Sequence, residues 1–143
     1  MLFDNNVKLT NTTGSIEYQM VSQPAIKEWM EHVQVPHELD DGPTVYFHKG
    51  YIYHCDLKWD GDNFFRGVQL EELRALYNTR TGLCVYTAPD THPSKVYVVK
   101  WVNDFDFALR QGMTEIGYNG TIKLIGTTKL SEVDSNYPMA NTF

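Results

Sequence analysis

The clearest signal along the chain is an alternation of apolar and polar positions with period two. In the run 45–60, Tyr51, Tyr53, Cys55, Leu57 and Trp59 share one parity, while His54, Asp56 and Lys58 share the other. Successive strand residues point to opposite faces, so this run predicts a strand with one buried and one solvated side, as in an antiparallel sheet. Val45, Tyr46 and Phe47 stand just before Lys49-Gly50. That pair reads either as a tight turn between two strands or as part of one long strand, and the hairpin is the preferred expectation.

Over 68–78 the period changes. Leu70, Leu73, Leu76 and Tyr77 fall on one helical stripe, with Glu71, Glu72, Arg74 and Asn78 off it. Glu71 and Glu72 suit the positive end of the helix dipole, and Gly82 is the expected carboxy-terminal cap. Strand patterns return at 83–87, 95–102 and 117–127, with a loop at 88–94; Phe105 and Phe107 carry an apolar alternation past Asn103-Asp104.

The opening is less regular. Asn5, Asn6, Asn11, Thr12, Thr13 and Gly14 are turn-forming, and Ile16, Tyr18 and Met20 give a weak strand signal. Ala25, Ile26, Trp29, Met30 and Val33 recur at helical spacing after Ser22-Gln23-Pro24, and Pro36 stops the run, which predicts a short helix over 25–33. Residues 37–43 read as a loop. The expectation is one domain over 1–143: an amino-terminal arm at 1–44 with a weak strand and short helix, a β core at 45–130 with its helix at 68–78, and a polar tail at 131–143. Its class is mostly β with one or two helices (α+β), consecutive strands pairing antiparallel and a helix crossing one face.

Composition narrows the functional classes. With 42% hydrophobic and 21% charged residues the chain matches globular proteins, not disordered ones. A formal net charge of −6 argues against a surface that grips nucleic acid by its phosphates, yet it suits a wall past which DNA moves without sticking. Met1-Leu2-Phe3-Asp4 lacks the basic start and apolar run of a signal peptide, and no stretch approaches the ~18 apolar residues of a membrane span, so no membrane insertion is expected. Cys55 and Cys84 lie in apolar stretches and read as small buried hydrophobes, with pairing left open.

No catalytic, cofactor-binding or metal site is expected. His32 and His37 miss the four-residue spacing of one helical face, His54 and Cys55 are strand neighbours on opposite sides, and His48 and His92 stand alone. Asp104 and Asp106 could share a face and hold a hard cation, but acids at a strand–loop junction are ordinarily solvated. Asp60-Gly61-Asp62-Asn63 starts like a calcium loop without its later ligands. No nucleophile elbow or phosphate-cradling glycine loop occurs.

The succession of the run 53–59 (YHCDLKW), the helix 70–77 (LEELRALY) and the strand-to-proline run 82–89 (GLCVYTAP) resembles small tail proteins of bacteriophages. The likeness continues through 95–102 (KVYVVKWV), 104–107 (DFDF) and 118–124 (YNGTIKL). It is similar to the lambda-like minor tail and distal-tail (tail-tip) family. The resemblance implies a tail-tube-like fold, two packed antiparallel sheets flanked by a helix. It also implies a non-enzymatic structural role without cofactors: copies of the chain forming a ring, sixfold as a rule, beside tube and tip or fibre proteins. DNA would be only passing cargo, and the location the virion tail, assembled in the host cytoplasm. Aromatic side chains in arms and loops, Phe3, Phe105, Phe107, Tyr137 and Phe143, are the expected interface residues, with plain core packing the favoured alternative for Phe105 and Phe107. Two other classes stay open: a small acidic binding protein that inhibits a host factor, and a small enzyme with a dispersed site around Asp104, Asp106 and the histidines.

Overall fold

The computed structural model describes residues 5–40, 42–111 and 116–132. Among them the elements are, in chain order, β1 (Lys8–Asn11), β2 (Glu17–Gln19), β3 (Ala25–Glu38), β4 (Thr44–Trp59), α1 (Gly67–Tyr77), β5 (Leu83–Tyr86), β6 (Val96–Trp101), β7 (Phe107–Gln111) and β8 (Ile116–Gly126). The strands pair antiparallel in the order β2-β1-β5-β6-β8-β4-β3, with β7 also on β8. The chain is thus mostly β with a single helix among the described residues.

The register shows how β8 serves three partners. Leu124 faces Trp101 of β6 on one flank and Cys55 of β4 on the other. Farther back, Gly120 faces Phe107, so β7 continues the β6 flank after a bend at 102–106. Asn103 secures that bend, donating to the Thr121 carbonyl at 2.7 Å and accepting from the Lys123 amide at 3.0 Å. Gly120 has a local reason to be glycine: a Cβ there would meet the Phe107 ring at 2.4 Å.

In place of two separate sheets, hydrogen bonding runs through all eight strands, and the one sheet curls over its own inner face. β3 and β6 are three strand spacings apart, roughly 14 Å on a flat sheet at ~4.8 Å each. Yet Glu28 of β3 binds Lys95, just before β6, at 2.7 Å, and Tyr53 of β4 stacks on Tyr97 of β6 with centroids 3.8 Å apart. The inner face carries Leu9, Tyr53, Cys55, Leu57, Trp59, Leu83, Val85, Val99, Ile122 and Leu124, all essentially inaccessible, and Leu73 and Leu76 of α1 with Phe65 close over them.

The amino-terminal third departs from expectation. The segment 25–33 is strand, not helix, and forms part of β3. Ile26, Glu28, Met30 and His32 lie opposite Leu57, Cys55, Tyr53 and Tyr51, so they face inward as a period-two set. A carboxylate at an inward position hides the alternation, and the remaining apolar residues then mimic helical spacing. Pairing along the whole of β4 overrides that weak local preference. The polar opening contains β1, whose Leu9, with neighbouring Val7, is fully buried; four residues with so few apolar side chains give no periodic signal. β1 and β3 are therefore members of the common sheet, with β1 beside β5 and β3 beside β4.

Other boundaries shift less. The preferred turn at Lys49-Gly50 is instead a bulge within the single strand β4, where the β3 register slips between Val33 and Gln34. Gly50 has φ of 113°, open to glycine but rarely to other residues, and a Cβ there would stand 2.7 Å from the Leu130 carbonyl oxygen. α1 matches the expected helix, but Asn78, not Gly82, is its cap, and Arg80 just beyond takes the left-handed conformation (φ 57°). Gly82 instead sits close against Thr12 and Val98. Glu71 and Glu72 fall beyond the first turn, which holds no acid.

Candidate assembly surface

Beyond the bulge, β3 and β4 leave the core as a two-stranded arm. Residues 34–40 and 42–49 are all exposed, and the arm projects about 17 Å, five residue steps from Val33 to Glu38 at ~3.3 Å each. The tip is closed by hydrogen bonds between Leu39 and Pro43 (3.1 Å) and between Gly42 and Leu39 (3.0 Å). Pairing of Val35 with Phe47 and of His37 with Val45 places these four on one face, with the His37 ring edge-on to Phe47 at 5.8 Å. The reverse face pairs Pro36 with Tyr46, between Gln34–His48 and Glu38–Thr44. Tyr46 is 62% exposed, Phe47 49% and Val35 44%, so large apolar side chains meet water on both faces.

The outer face of the sheet continues this surface. Trp29 of β3 lies flat on His54 of β4 (centroids 4.8 Å, 3° between planes), with the Lys27 ammonium over the indole at 5.2 Å. His54 Nε2 also meets Glu31 at 2.7 Å. On β6, Val96 and Val98 point outward and Val102 follows, each more than a third exposed. On the arm, Val35, Val45, Tyr46 and Phe47 are neighbouring exposed positions, and monomeric proteins rarely leave large apolar groups clustered in this way.

The inner face holds a buried polar group of a different kind. Lys95 Nζ, almost fully buried, donates to both Glu28 carboxylate oxygens at 2.7 Å and to Thr87 Oγ1 at 2.9 Å, and Tyr53 OH donates to Glu28 at 2.5 Å. Burial above all, with the Glu28 carboxylate beside it, pushes the Tyr53 phenol well above its ordinary range. Burial likewise pushes the Cys55 thiol up to about 12, so it is an unreactive thiol at neutral pH. Every donor and acceptor named here is engaged with another, which describes a structural cross-tie between β3 and the β5–β6 connection.

The expected site residues divide. Phe105 and Phe107 are half-buried: Phe105 packs on Tyr77 and Trp101, and Phe107 lies edge-on to Phe65 at 5.1 Å. Phe3, Tyr137 and Phe143 lie outside the described residues. Asp104 and Asp106 are exposed on either side of Phe105. Phe107 pairs with Gly120, and Gly120 with Trp59, so these acids stand at the opposite end of β4 from His48. The structure does not bring them together with the histidines, and no three His, Cys, Asp or Glu side chains gather as a metal site among the described residues. Cys55 faces inward from β4, while Cys84 of β5 lies opposite outward-facing Val98; both thiols are free. Sequence reasoning missed the arm residues Val35, Leu39, Tyr46 and Phe47. The signal was present in Val45-Tyr46-Phe47, an apolar triplet between polar flanks, but a loop assigned to 37–43 hid its partner strand.

These features define a curled antiparallel sheet with one helix and an apolar projecting arm. No family model matches the chain, and no curated protein is significantly similar to it. Among the described residues no helix is long and apolar enough to cross a membrane.

Proposed function

We propose that this chain is a structural subunit that assembles with copies of itself through the arm, as a ring-forming component of a bacteriophage tail at or near its tip. The observation that carries self-assembly is the arm: a hairpin whose two faces expose Val35, Phe47, Val45 and Tyr46 contributes nothing to its own core, and burying those groups on a neighbour recovers the hydrophobic free energy left unused in the monomer. The neighbour's outer face, with Val96, Val98 and Val102 beside Lys100, offers apolar contact, and the tip acids Glu38 and Asp40 oppose its lysine. The tail assignment rests on the order of elements that resembles the distal-tail family, and the mostly β fold with a single helix supports it. The net charge of −6 suits a lumen for DNA.

Light scattering coupled to size-exclusion chromatography tests the assembly. The native chain is expected to elute as one closed oligomer, and the Val35→Ser, Phe47→Ser double variant as a monomer whose melting temperature moves by no more than about 2 °C, as for exposed substitutions. A native chain that stays monomeric, or a double variant that assembles unchanged, overturns the reading. Labelling of the chain in purified virions tests the tail assignment separately.

A further inference from the structure

We infer that the root of the arm carries a proton-sensitive clasp: His32, His48 and Gln34 tie the arm to the backbone at Ser131 while at most one of the two rings is charged, and let go when both are. This goes beyond the assembly reading and does not depend on it.

The hydrogen bonds form a directed chain. Gln34 Nε2 donates to His32 Nδ1 at 2.6 Å, His32 Nε2 lies 2.7 Å from His48 Nδ1, and His48 Nε2 lies 2.9 Å from the Ser131 carbonyl oxygen. An amide nitrogen can only donate and a carbonyl can only accept. His32 must therefore carry its proton on Nε2 and give it to His48 Nδ1, and His48 must carry its own on Nε2. Both rings are neutral in this arrangement, and each tautomer is set by its neighbour.

Adding protons in turn shows where the chain breaks. A first proton enters at His32 Nδ1 if the Gln34 amide turns to present its oxygen, and every link survives. A second proton has only His48 Nδ1 left to occupy. It then faces the His32 Nε2 proton across 2.7 Å, with two cationic rings whose centroids are 4.9 Å apart. That link cannot persist, and the rings must separate.

Separation matters because of what the pair secures. The segment 128–132 meets the arm root through Tyr51 and Leu130, whose amides and carbonyls bond reciprocally at 2.7 and 2.9 Å, and Gly50 leaves room for that approach. His48 adds a side-chain tie between the arm and the Ser131 carbonyl. The Tyr51 ring lies against both imidazoles, at 4.8 Å from His32 and 5.2 Å from His48, so displaced rings also disturb the residue that holds Leu130. Charged groups on the elements meeting here are Glu31 and Lys49 on the two arm strands and Lys129 and Glu132 on the segment. Glu31 is engaged with His54 at 2.7 Å, and His54 takes no part in the chain of bonds from Gln34 to Ser131.

The test is amide hydrogen exchange, expressed as protection factors, at pH 8 and pH 5 on the native chain, on His32→Asn and His48→Asn, and on His37→Asn and His54→Gln as controls. In the native chain, protection of the Tyr51 and Leu130 amides and of the arm is expected to fall roughly tenfold at the lower pH, while the β5–β6 amides keep theirs. Either clasp variant holds only one of the two rings, so the opposed ring protons cannot arise, and its protection, whatever its starting level, is expected to stay within about twofold between the two pH values. The two controls are expected to behave as the native chain. Native protection that is flat with pH, a clasp variant that still loses tenfold, or a control that abolishes the loss overturns the inference.

Discussion

Glu28 and Lys95 show how one residue pair decides the local conformation. A carboxylate on the inner face is costly unless matched, and the match comes from a lysine that is 67 positions away in sequence and 1% exposed at its side chain. Removing one partner leaves a buried charge: Lys95→Met is expected to lower stability by about 3–5 kcal/mol in urea denaturation. The Glu28→Leu, Lys95→Met double variant, which removes both charges, is expected to regain most of the loss. Cys55 and Tyr53 beside them make stability fall at alkaline pH. Both are held neutral by burial, so the unfolded chain gives up these protons first and binds fewer of them as pH rises. For Cys55 the loss runs from the ordinary value of 9.0 to about 12. Its slope reaches about 1.4 kcal/mol per pH unit. Cys55→Ala is expected to cost about 1 kcal/mol at pH 7 and to flatten that slope, measured by denaturation at pH 8, 9 and 10.

At the scale of elements, the bulge in β4 separates a half that packs into the core from a half that is exposed. Before it, β4 exposes every residue from Thr44 to Lys49; after it, Tyr53, Cys55, Leu57 and Trp59 are buried in strict alternation. Gly50 permits both the bend and the approach of Leu130. Gly50→Ala adds a methyl 2.7 Å from a backbone oxygen at a φ of 113°, and is expected to cost about 2 kcal/mol and to expose the Tyr51 and Leu130 amides to exchange. Elements whose burial pattern is written in their own residues were legible: the alternation of 51–59, the helical stripe of 70–77 and the runs that became β5, β6 and β8. β1 was not, because a four-residue strand carries too few positions to show a period. β3 was not, because its inward acid is balanced by a residue from elsewhere.

At the scale of the molecule, the described residues form one sheet that curls across its own inner face to make the core, and its arm stands exposed. Among the described residues the arm packs on no core element beyond its root, which is why arm substitutions are expected to change assembly and leave the melting temperature almost untouched. The half-buried positions of Phe105 and Phe107 follow from the same curl: the bend at 102–106 turns both rings toward Trp101 and Phe65 while Asp104 and Asp106 face water. As for the candidate site, the sequence pointed to aromatics in termini and loops; the described ones among them pack inward, and the exposed ones lie on the arm.

What the sequence determined by itself was the class: period-two runs and one helical stripe suffice for a mostly β chain of antiparallel pairs, because each run's periodicity depends only on neighbouring residues. What the tertiary structure decided was the partnership of distant segments: that β3 is a strand, that the strands close into one curled sheet, and that 34–49 stand clear of it. Those outcomes depend on Glu28 finding Lys95, on Gly50 admitting Leu130 and on β8 holding strands on both flanks, contacts between residues that no local window contains.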